Sequence, residues 1–378
     1  MSVEPTQRPD RRRFLLGGEG WPYLLVPFIP LAIVLDAAGV SAVAIFVSSA
    51  LGVIPTAALM GRATEELAAR SGPGIGGLLN VTFGNAPELI IALFALGAGL
   101  QEVVKASLIG SVIGNVLLVM GASMFAGGIG RDRQHFNRVS AVAQSSMLLL
   151  AVAAMAMPAI FELVEGTGLP SPGAARVSYG STVEHLSLAV AIVLILSYGA
   201  GLIFSLRTHR DLFNPPEDRD EHSGAGWSVR RSIAMLALAG VAVAGMSEIL
   251  VGSISAAAKS IGLTEFFVGA IVVAIVGNAA EHWVAVLVAR KDKMDLAVNI
   301  SIGSSAQIAL FVAPVLVLVS FFVGPAPMAL VFNGFELGGL FLAVLIATHV
   351  TDEGESTWFE GVQLLAVYAV LALAFAFA

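Results

Sequence analysis

The sequence predicts an all-α integral membrane protein with eleven transmembrane helices, in which one leading helix precedes two inverted repeats of five helices each. Three observations predict this fold. The composition is unusually apolar, apolar segments long enough to cross a bilayer recur along the chain, and two motifs occur twice in the same register.

The composition indicates a membrane protein. Of the 378 residues, 57% are hydrophobic and only 12% are charged, whereas soluble proteins carry about 25% charged residues. The net charge of −7 comes mainly from acids in loops, so no nucleic-acid partner is indicated. Cysteine is absent, which excludes disulfides, thiol catalysis and cysteine-ligated zinc.

Eleven segments have the length of about 20 apolar residues that a bilayer core requires. None shows the recurrent period-two alternation of a membrane β-barrel, and helices satisfy their own backbone hydrogen bonds in lipid. The predicted helices are 21–38, 41–60, 73–98, 103–129, 139–161, 181–206, 231–256, 265–289, 296–323, 328–350 and 358–377.

The basic residues predict the orientation. If the N-terminus is cytoplasmic and the helices alternate, only Lys105, Arg176 and Lys259 of the 20 Lys and Arg residues lie outside. An excess of basic residues in cytoplasmic loops is the rule for membrane proteins. The C-terminus is then outside, and the Ala-rich, compact chain favours a bacterial inner (plasma) membrane.

Two polar segments are predicted to be cytoplasmic. Residues 1–20 lack the small-residue cleavage site of a signal peptide, so we interpret them as a retained tail. Residues 207–230 contain two prolines and several acids, and we expect a solvated connector, with a regulatory cation site as the alternative. This loop separates the predicted repeats, 41–206 and 231–378.

The internal repeat is carried by "TFGNAPELIIALF", residues 82–94, and "IVGNAAEHWVAVL", residues 275–287. An offset of 193 aligns Gly-Asn and Glu in both, and it also aligns "IGSVIGN" with "IGSSAQI". An odd number of helices per repeat inverts the second copy in the membrane. Inverted repeats that meet near the midplane are typical of secondary transporters, whose interrupted helices mark the binding site.

Glu88 and Glu281 are the strongest candidates for function. An ionised acid at the membrane centre costs about 2.5–3.5 kcal/mol on insertion scales, so it needs a partner or a polar cavity. The two acids occupy matching depths in inverted halves, and we expect them to face each other. One divalent cation or two protons would neutralise the pair, and this competition is the basis of an exchanger.

The neighbouring residues suit a hard cation such as Ca²⁺, which takes six to eight oxygen ligands. Glycines and Pro87 are expected to loosen the helices and free backbone carbonyls, while amides and hydroxyls add neutral oxygens. Packing between helices is the alternative role for the Asn and Ser side chains. The candidate ligands besides the two acids are Gly84, Gly277, Asn85, Asn278, Ser111, Asn115, Ser304 and Gln307.

Three further residues are candidates for an access path. Glu65 and Glu248 match each other upstream of the repeated motifs, and His282 follows the second acid. Solvated helix ends are the alternative for the two acids, and core packing is the alternative for the histidine.

The segments "GNAPELI", "GNAAEHW" and "GSSAQIALFVAP", with the tail from residue 351, resemble the calcium/proton exchanger (CAX) family of the Ca²⁺/cation antiporters. The resemblance extends from the second helix to the C-terminus. It implies eleven helices, export of Ca²⁺ driven by inward proton flow, exchange at Glu88 and Glu281, and no cofactor beyond the transported ions. Pro87 stands where many relatives have Thr, and the middle loop is shorter and less acidic than in larger relatives.

Other functions remain open from the sequence. A Na⁺-driven Ca²⁺ exchanger is the nearest alternative, although such relatives carry an extra acid where this chain has Gln307. An intramembrane metalloprotease would need His-Glu-x-x-His, which is absent, so no enzyme activity is expected. A cation channel is less favoured because paired acids in inverted repeats indicate alternating access. The sequence leaves the oligomeric state open, a homo-oligomer included.

Overall fold

The structure, a computed structural model, describes residues 20–174, 178–208 and 226–378. The predicted N-terminal tail therefore lies outside the described residues except for Gly20. So do Arg176 and most of the predicted connector 207–230.

The described residues form helices and one short two-stranded sheet. A 3₁₀ turn at Trp21–Leu25 precedes α1, and several of the long helices contain a π-helical turn. The elements are α1 (Phe28–Ala37), α2 (Ala42–Arg70), α3 (Gly72–Phe83), α4 (Ala86–Gly97), α5 (Gln101–Gly128), β1 (Gln134–His135), α6 (Arg138–Glu165), α7 (Ser181–Thr208), α8 (Val229–Ile261), α9 (Glu265–Arg290), α10 (Met294–Ser320), α11 (Gly334–Thr351), β2 (Glu355–Ser356) and α12 (Trp358–Phe377).

Nine of the described helices are long and apolar enough to cross a membrane, namely α2 and α5 to α12. Two shorter apolar segments, Trp21–Ala37 and Ala86–Gly97, accompany them. The all-α prediction is confirmed. The count of eleven spans and the division into two inverted repeats stay predictions.

The helix predicted for 73–98 is interrupted at the first Gly-Asn motif. Helix α3 ends at Phe83 and α4 begins at Ala86, so Gly84 and Asn85 form a break. Pro87 is the second residue of α4, where its missing N–H leaves no helical hydrogen bond unmade. The second Gly-Asn motif has no matching break, because α9 is continuous at Gly277 and its π turn lies earlier, at Val268–Val273.

The helix predicted for 328–350 begins only at Gly334, because an extended segment precedes it. Residues 328–332 of this segment are fully buried, so their backbone groups need partners inside the protein. Lys105 Nζ donates to Val331 O at 2.7 Å, and Leu330 N donates to Ser187 Oγ at 3.0 Å. Asn333 then caps α11 through a reciprocal bond with Glu336.

Two of the helices that carry the repeated motifs are largely buried. In α5 and α10, which contain "IGSVIGN" and "IGSSAQI", 89% and 67% of the apolar window is buried, against 17% in α12. Helix α2, which extends to Arg70 rather than 60, packs along α8. Strands β1 and β2 pair antiparallel and join the chain after α5 to the chain after α11. Helices α5 and α10 thus lie inside the molecule, whereas only 33% of the apolar window of α9 is buried.

Candidate functional site

Each acid of the repeated motif lies against the glycine of the other motif. A β-carbon at Gly277 would lie 3.3 Å from Glu88 Cγ, and one at Gly84 would lie 3.8 Å from Glu281 Oε1. The two carboxylates are close enough to interact electrostatically. Both residues keep partial exposure. The structure therefore brings together the two acids that the sequence pairs. It gives Gly277 a steric role, since its missing side chain leaves room for Glu88, whereas a β-carbon at Gly84 would lie at ordinary contact distance from Glu281.

Asn85 connects the break between α3 and α4 to α10. Its Nδ2 donates to Gln307 Oε1 at 2.7 Å, and its Oδ1 accepts from Ser304 Oγ at 2.8 Å. Ser304 Oγ also lies 3.2 Å from Glu281 Oε2. Ser304 thus connects Asn85, at the break, with the carboxylate that projects from α9.

The corresponding contact of the other half joins Asn278 and Ser111. Asn278 Nδ2 donates to Ser111 Oγ at 3.0 Å and to Ala274 O at 2.9 Å. Asn278 and Ser111 correspond to Asn85 and Ser304 at the offset of 193, so the amide–hydroxyl pair recurs in both halves. The carboxylates differ, however, because only Glu281 has a hydroxyl within hydrogen-bonding distance among the described residues.

Three buried polar atoms of the site have no hydrogen-bond partner within the described part of the chain. They are Glu88 Oε2, Asn278 Oδ1 and Asn115 Nδ2. Leaving such a group unsatisfied costs about 1–3 kcal/mol, and more when it is charged. Two of the three are oxygens, which suit a proton or a hard cation.

His282 contacts a candidate ligand directly. Its Nε2 lies 3.0 Å from Asn115 Oδ1, so the ring donates to this oxygen when Nε2 carries the proton. The positions that correspond at the offset of 193 are Leu89 and Ile308, so the pair exists in only one half. His282 therefore lies in the wall of the site.

The two acids of the predicted access path lie in different surroundings. Glu65, in α2, is close enough to Glu281 to interact with it electrostatically. Glu248, in α8, is exposed and lines two cavities of about 400 and 520 Å³, which lie between α8 and, respectively, α1 and α4. Only Glu65 is thus in electrostatic reach of the central pair.

The fixed negative charge of the site is small. Within the described ranges no three Asp, Glu, His or Cys side chains lie together as a potential metal centre. The charge of the central pair equals that of one divalent cation, and all further ligands would be neutral amide, hydroxyl or carbonyl oxygens. This composition suits a site that must release its cation as well as bind it.

Comparisons with known proteins place these observations in a family. Residues 41–207 and 231–377 match the family described as sodium/calcium exchanger protein. The chain is 43% identical over 374 residues to the Ca(2+)/H(+) antiporter of Synechocystis sp., which covers 94% of this chain and 96% of that protein. It is also 43% identical over 355 residues to the Ca(2+)/H(+) antiporter ChaA of Bacillus subtilis, with 93% and 97% covered. The solved structure of native YfkE superposes with a TM-score of 0.80 and 39% identity, covering 94% of this chain and 100% of that one.

Proposed function

This chain belongs to the sodium/calcium exchanger protein family, and from that premise we propose that it is a secondary antiporter that exchanges Ca²⁺ for H⁺ by alternating access. Relatives at 43% identity that are named Ca²⁺/H⁺ antiporters support protons, rather than Na⁺, as the driving ion. These relatives are transporters, which supports transport over an enzymatic reaction.

The crossed packing of Glu88 and Glu281 is the observation that carries this proposal. Two ionised carboxylates within electrostatic reach repel each other, and the repulsion is stronger in a partly buried site than in water. One Ca²⁺ or two protons remove it, so the two substrates compete for the same oxygens. The empty, doubly charged site is the costly state, and a carrier that avoids this state when it reorients couples the two ion flows.

The neutral groups around the acids complete the proposed Ca²⁺ site. Glu88 Oε2 and Asn278 Oδ1 are buried and unpartnered among the described residues, so they are the first oxygens that a cation would engage. Further proposed ligands have hydrogen-bonding partners that hold them in place around the acids. They are Asn85, Ser304, Gln307, Ser111 and Asn115, with backbone carbonyls near Gly84 and Gly277.

We place the protein in a bacterial inner (plasma) membrane, with the N-terminus in the cytoplasm and the C-terminus outside. The bacterial relatives support this membrane, and the uneven distribution of basic residues supports the orientation. Nine long apolar helices, the broken helix α3–α4 and the apolar segment Trp21–Ala37 support eleven crossings. In this arrangement the exchanger exports Ca²⁺ while protons enter the cell.

Uptake of radioactive Ca²⁺ into everted membrane vesicles tests the proposal. An interior-acid proton gradient should drive uptake, and a protonophore should abolish it. Glu88→Gln and Glu281→Gln should each abolish uptake, whereas Glu165→Gln, at the exposed end of α6, should leave it unchanged. Uptake that ignores the proton gradient and follows a Na⁺ gradient would overturn proton coupling, and transport by either central variant would overturn the site.

A further inference from the structure

Four residues of α10 form a stripe that leads from one end of the helix to the site. Asp295, Asn299, Gly303 and Gln307 are spaced by four residues and therefore lie on one helical face. Asp295 is exposed, and the next three keep partial exposure although residues 304–306 are buried. The stripe ends where Gln307 accepts the hydrogen bond from Asn85.

Helix α6 supplies polar groups along the same stripe. Gln144 Nε2 donates to Ser140 Oγ at 3.0 Å and also to Asn299 Oδ1. Gln144 Oε1 lies over Gly303, 3.1 Å from the place that a β-carbon would occupy there. At the end of the stripe, Asn137 N donates to the Asp295 carboxylate. Hydrogen-bonding groups thus follow one another from the start of α6 to the turn of α10 that holds Gln307.

The other half of the molecule has no continuous stripe of neutral polar groups, although the acids Glu102 and Glu336 stand at the positions of Asp295 and Ser140. At the offset of 193, the positions of Asn299, Gly303 and Gln307 are taken by Ala106, Gly110 and Gly114, all buried. A β-carbon at Gly110 would collide with Ala270 O, so this face is closed by helix packing. Counted from the capping residues Asn137 and Asn333, the position of Gln144 is taken by Leu340, which is 1% exposed.

This difference between the halves argues against a purely structural role. The other half holds its inner helices with charged contacts instead, since Lys105 meets Glu102 and Val331 O near the start of α5. One half is closed with alanine, glycine and leucine, which shows that apolar packing suffices at these positions. In the proposed orientation, the polar half is the one that opens toward the cytoplasm.

We propose that Ser140, Gln144, Asn299 and Gln307 line the route by which protons pass between the exchange site and the cytoplasm, separate from the route of Ca²⁺. This inference rests on the proposed exchange function. Amide and hydroxyl groups can hold a single row of hydrogen-bonded water molecules. Protons pass along such a row even where the passage is too narrow for a hydrated Ca²⁺ ion. Gln144 Oε1 takes the space that the missing side chain of Gly303 leaves, which brings the amide against α10.

The chemistry of the stripe disfavours Ca²⁺ as its occupant. Ca²⁺ takes six to eight oxygen ligands, with carboxylates prominent among them. Between Asp295 and the site the stripe offers only neutral groups, and Gln144 and Asn299 close it by a direct hydrogen bond. A carboxylate approaches Glu281 from α2 instead, because Glu65 is in electrostatic reach of it. The two substrates therefore reach the pair from different helices.

Two flux measurements on the same reconstituted protein test this separation. Ca²⁺/H⁺ exchange needs both routes, whereas Ca²⁺/Ca²⁺ self-exchange needs only the Ca²⁺ route. We expect Gln144→Leu and Asn299→Leu to slow Ca²⁺/H⁺ exchange by about tenfold or more, as one unsatisfied polar step raises the barrier. Self-exchange and its half-saturating Ca²⁺ concentration should stay within about twofold of the wild type. Gln144→Glu, which keeps a polar group, should restore most of the Ca²⁺/H⁺ rate.

A matched control lies one residue along the same helix. Ser145 Oγ is 3.0 Å from Thr351 Oγ1, so Ser145→Ala removes a contact between helices off the stripe and should leave both fluxes unchanged. If Gln144→Leu and Asn299→Leu reduced both fluxes equally, the stripe would have a packing role only. If these variants kept the wild-type rate of Ca²⁺/H⁺ exchange, protons would have to take another route. Failure of the proposed exchange function would give a different result, because Ca²⁺ flux through the wild-type protein would then not depend on the proton gradient.

Discussion

Glu88 packs against Gly277, with its Cγ 3.3 Å from the place that a β-carbon would occupy. Glu281 lies against Gly84 in the corresponding way. The contacts are crossed, and the tighter of them, at Gly277, limits the position of Glu88. A shift of either motif helix therefore changes the distance between the carboxylates, which links the occupancy of the site to the arrangement of the helices.

Gly277→Ala should weaken Ca²⁺ binding without unfolding the protein. The added methyl group would displace the Glu88 side chain by a few tenths of an ångström, and alanine in the continuous helix α9 is favoured over glycine by about 1 kcal/mol. We expect the half-saturating Ca²⁺ concentration for transport to rise by about threefold to tenfold. Gly199→Ala, where nothing lies within 4 Å of the added carbon, is the control. An unchanged half-saturation in Gly277→Ala would show that the crossed contact does not position Glu88.

The two serines of the site should differ in effect. Ser304 lies within hydrogen-bonding distance of both Asn85 and Glu281, whereas Ser111 contacts only Asn278 among the described side chains. Hydrogen bonds to charged groups contribute about 1.5–3 kcal/mol and neutral ones about 1 kcal/mol. Ser304→Ala should therefore reduce the Ca²⁺/H⁺ exchange rate at limiting Ca²⁺ several times more than Ser111→Ala does. Equal losses would mean that the asymmetry between the carboxylates has no part in transport.

Much of this site could be predicted from the sequence, because the register of 193 residues pairs the acids, amides and serines directly. The packing of each acid against the glycine of the other motif could not be predicted. Inversion places the two acids at equal depth, but it does not determine which residue of the other motif each acid contacts. The continuity of α9 has a physical cause in the sequence, since Ala280 stands where the broken helix has Pro87. The Gly-Asn pair alone does not break a helix that retains all its N–H donors.

The extended segment 328–332 and the contact between Gln144 and Asn299 could not be predicted from the sequence, for different reasons. Residues 328–332 are apolar and resemble the start of a membrane helix. Only the structure shows that donors and acceptors from distant helices form hydrogen bonds with the backbone of this extended segment. Gln144 and Asn299 belong to no repeated motif, and their contact joins residues 155 positions apart. The spacing of four residues from Asn299 through Gly303 to Gln307 was the available signal.

Lys105→Met should destabilise the protein although it lies away from the exchange site. Lys105 is 1% exposed, and its Nζ lies 2.8 Å from Glu102 Oε1 and 2.7 Å from Val331 O. Removing one partner of a buried ion pair costs about 3–5 kcal/mol. A melt in detergent should show a clearly lower transition temperature, while Lys259→Met, on the exposed end of α8, should not. Adding Glu102→Gln to Lys105→Met should recover part of the loss, and a double variant no better than the single one would contradict the pairing.

The central acids should lower the stability of the Ca²⁺-free protein, because repulsion between them is relieved only by a cation or by protons. At alkaline pH and without Ca²⁺, Glu88→Gln should therefore raise the transition temperature in detergent, by about 1–4 °C for a gain near 1 kcal/mol. Ca²⁺ at about 100 times its dissociation constant should stabilise the wild type by about 2.7 kcal/mol and leave the variant unchanged. Glu165→Gln should behave like the wild type in both conditions. A wild type whose melting ignores Ca²⁺, or a Glu88→Gln protein that melts lower than the wild type, would show that the paired acids are not the site where Ca²⁺ and protons compete.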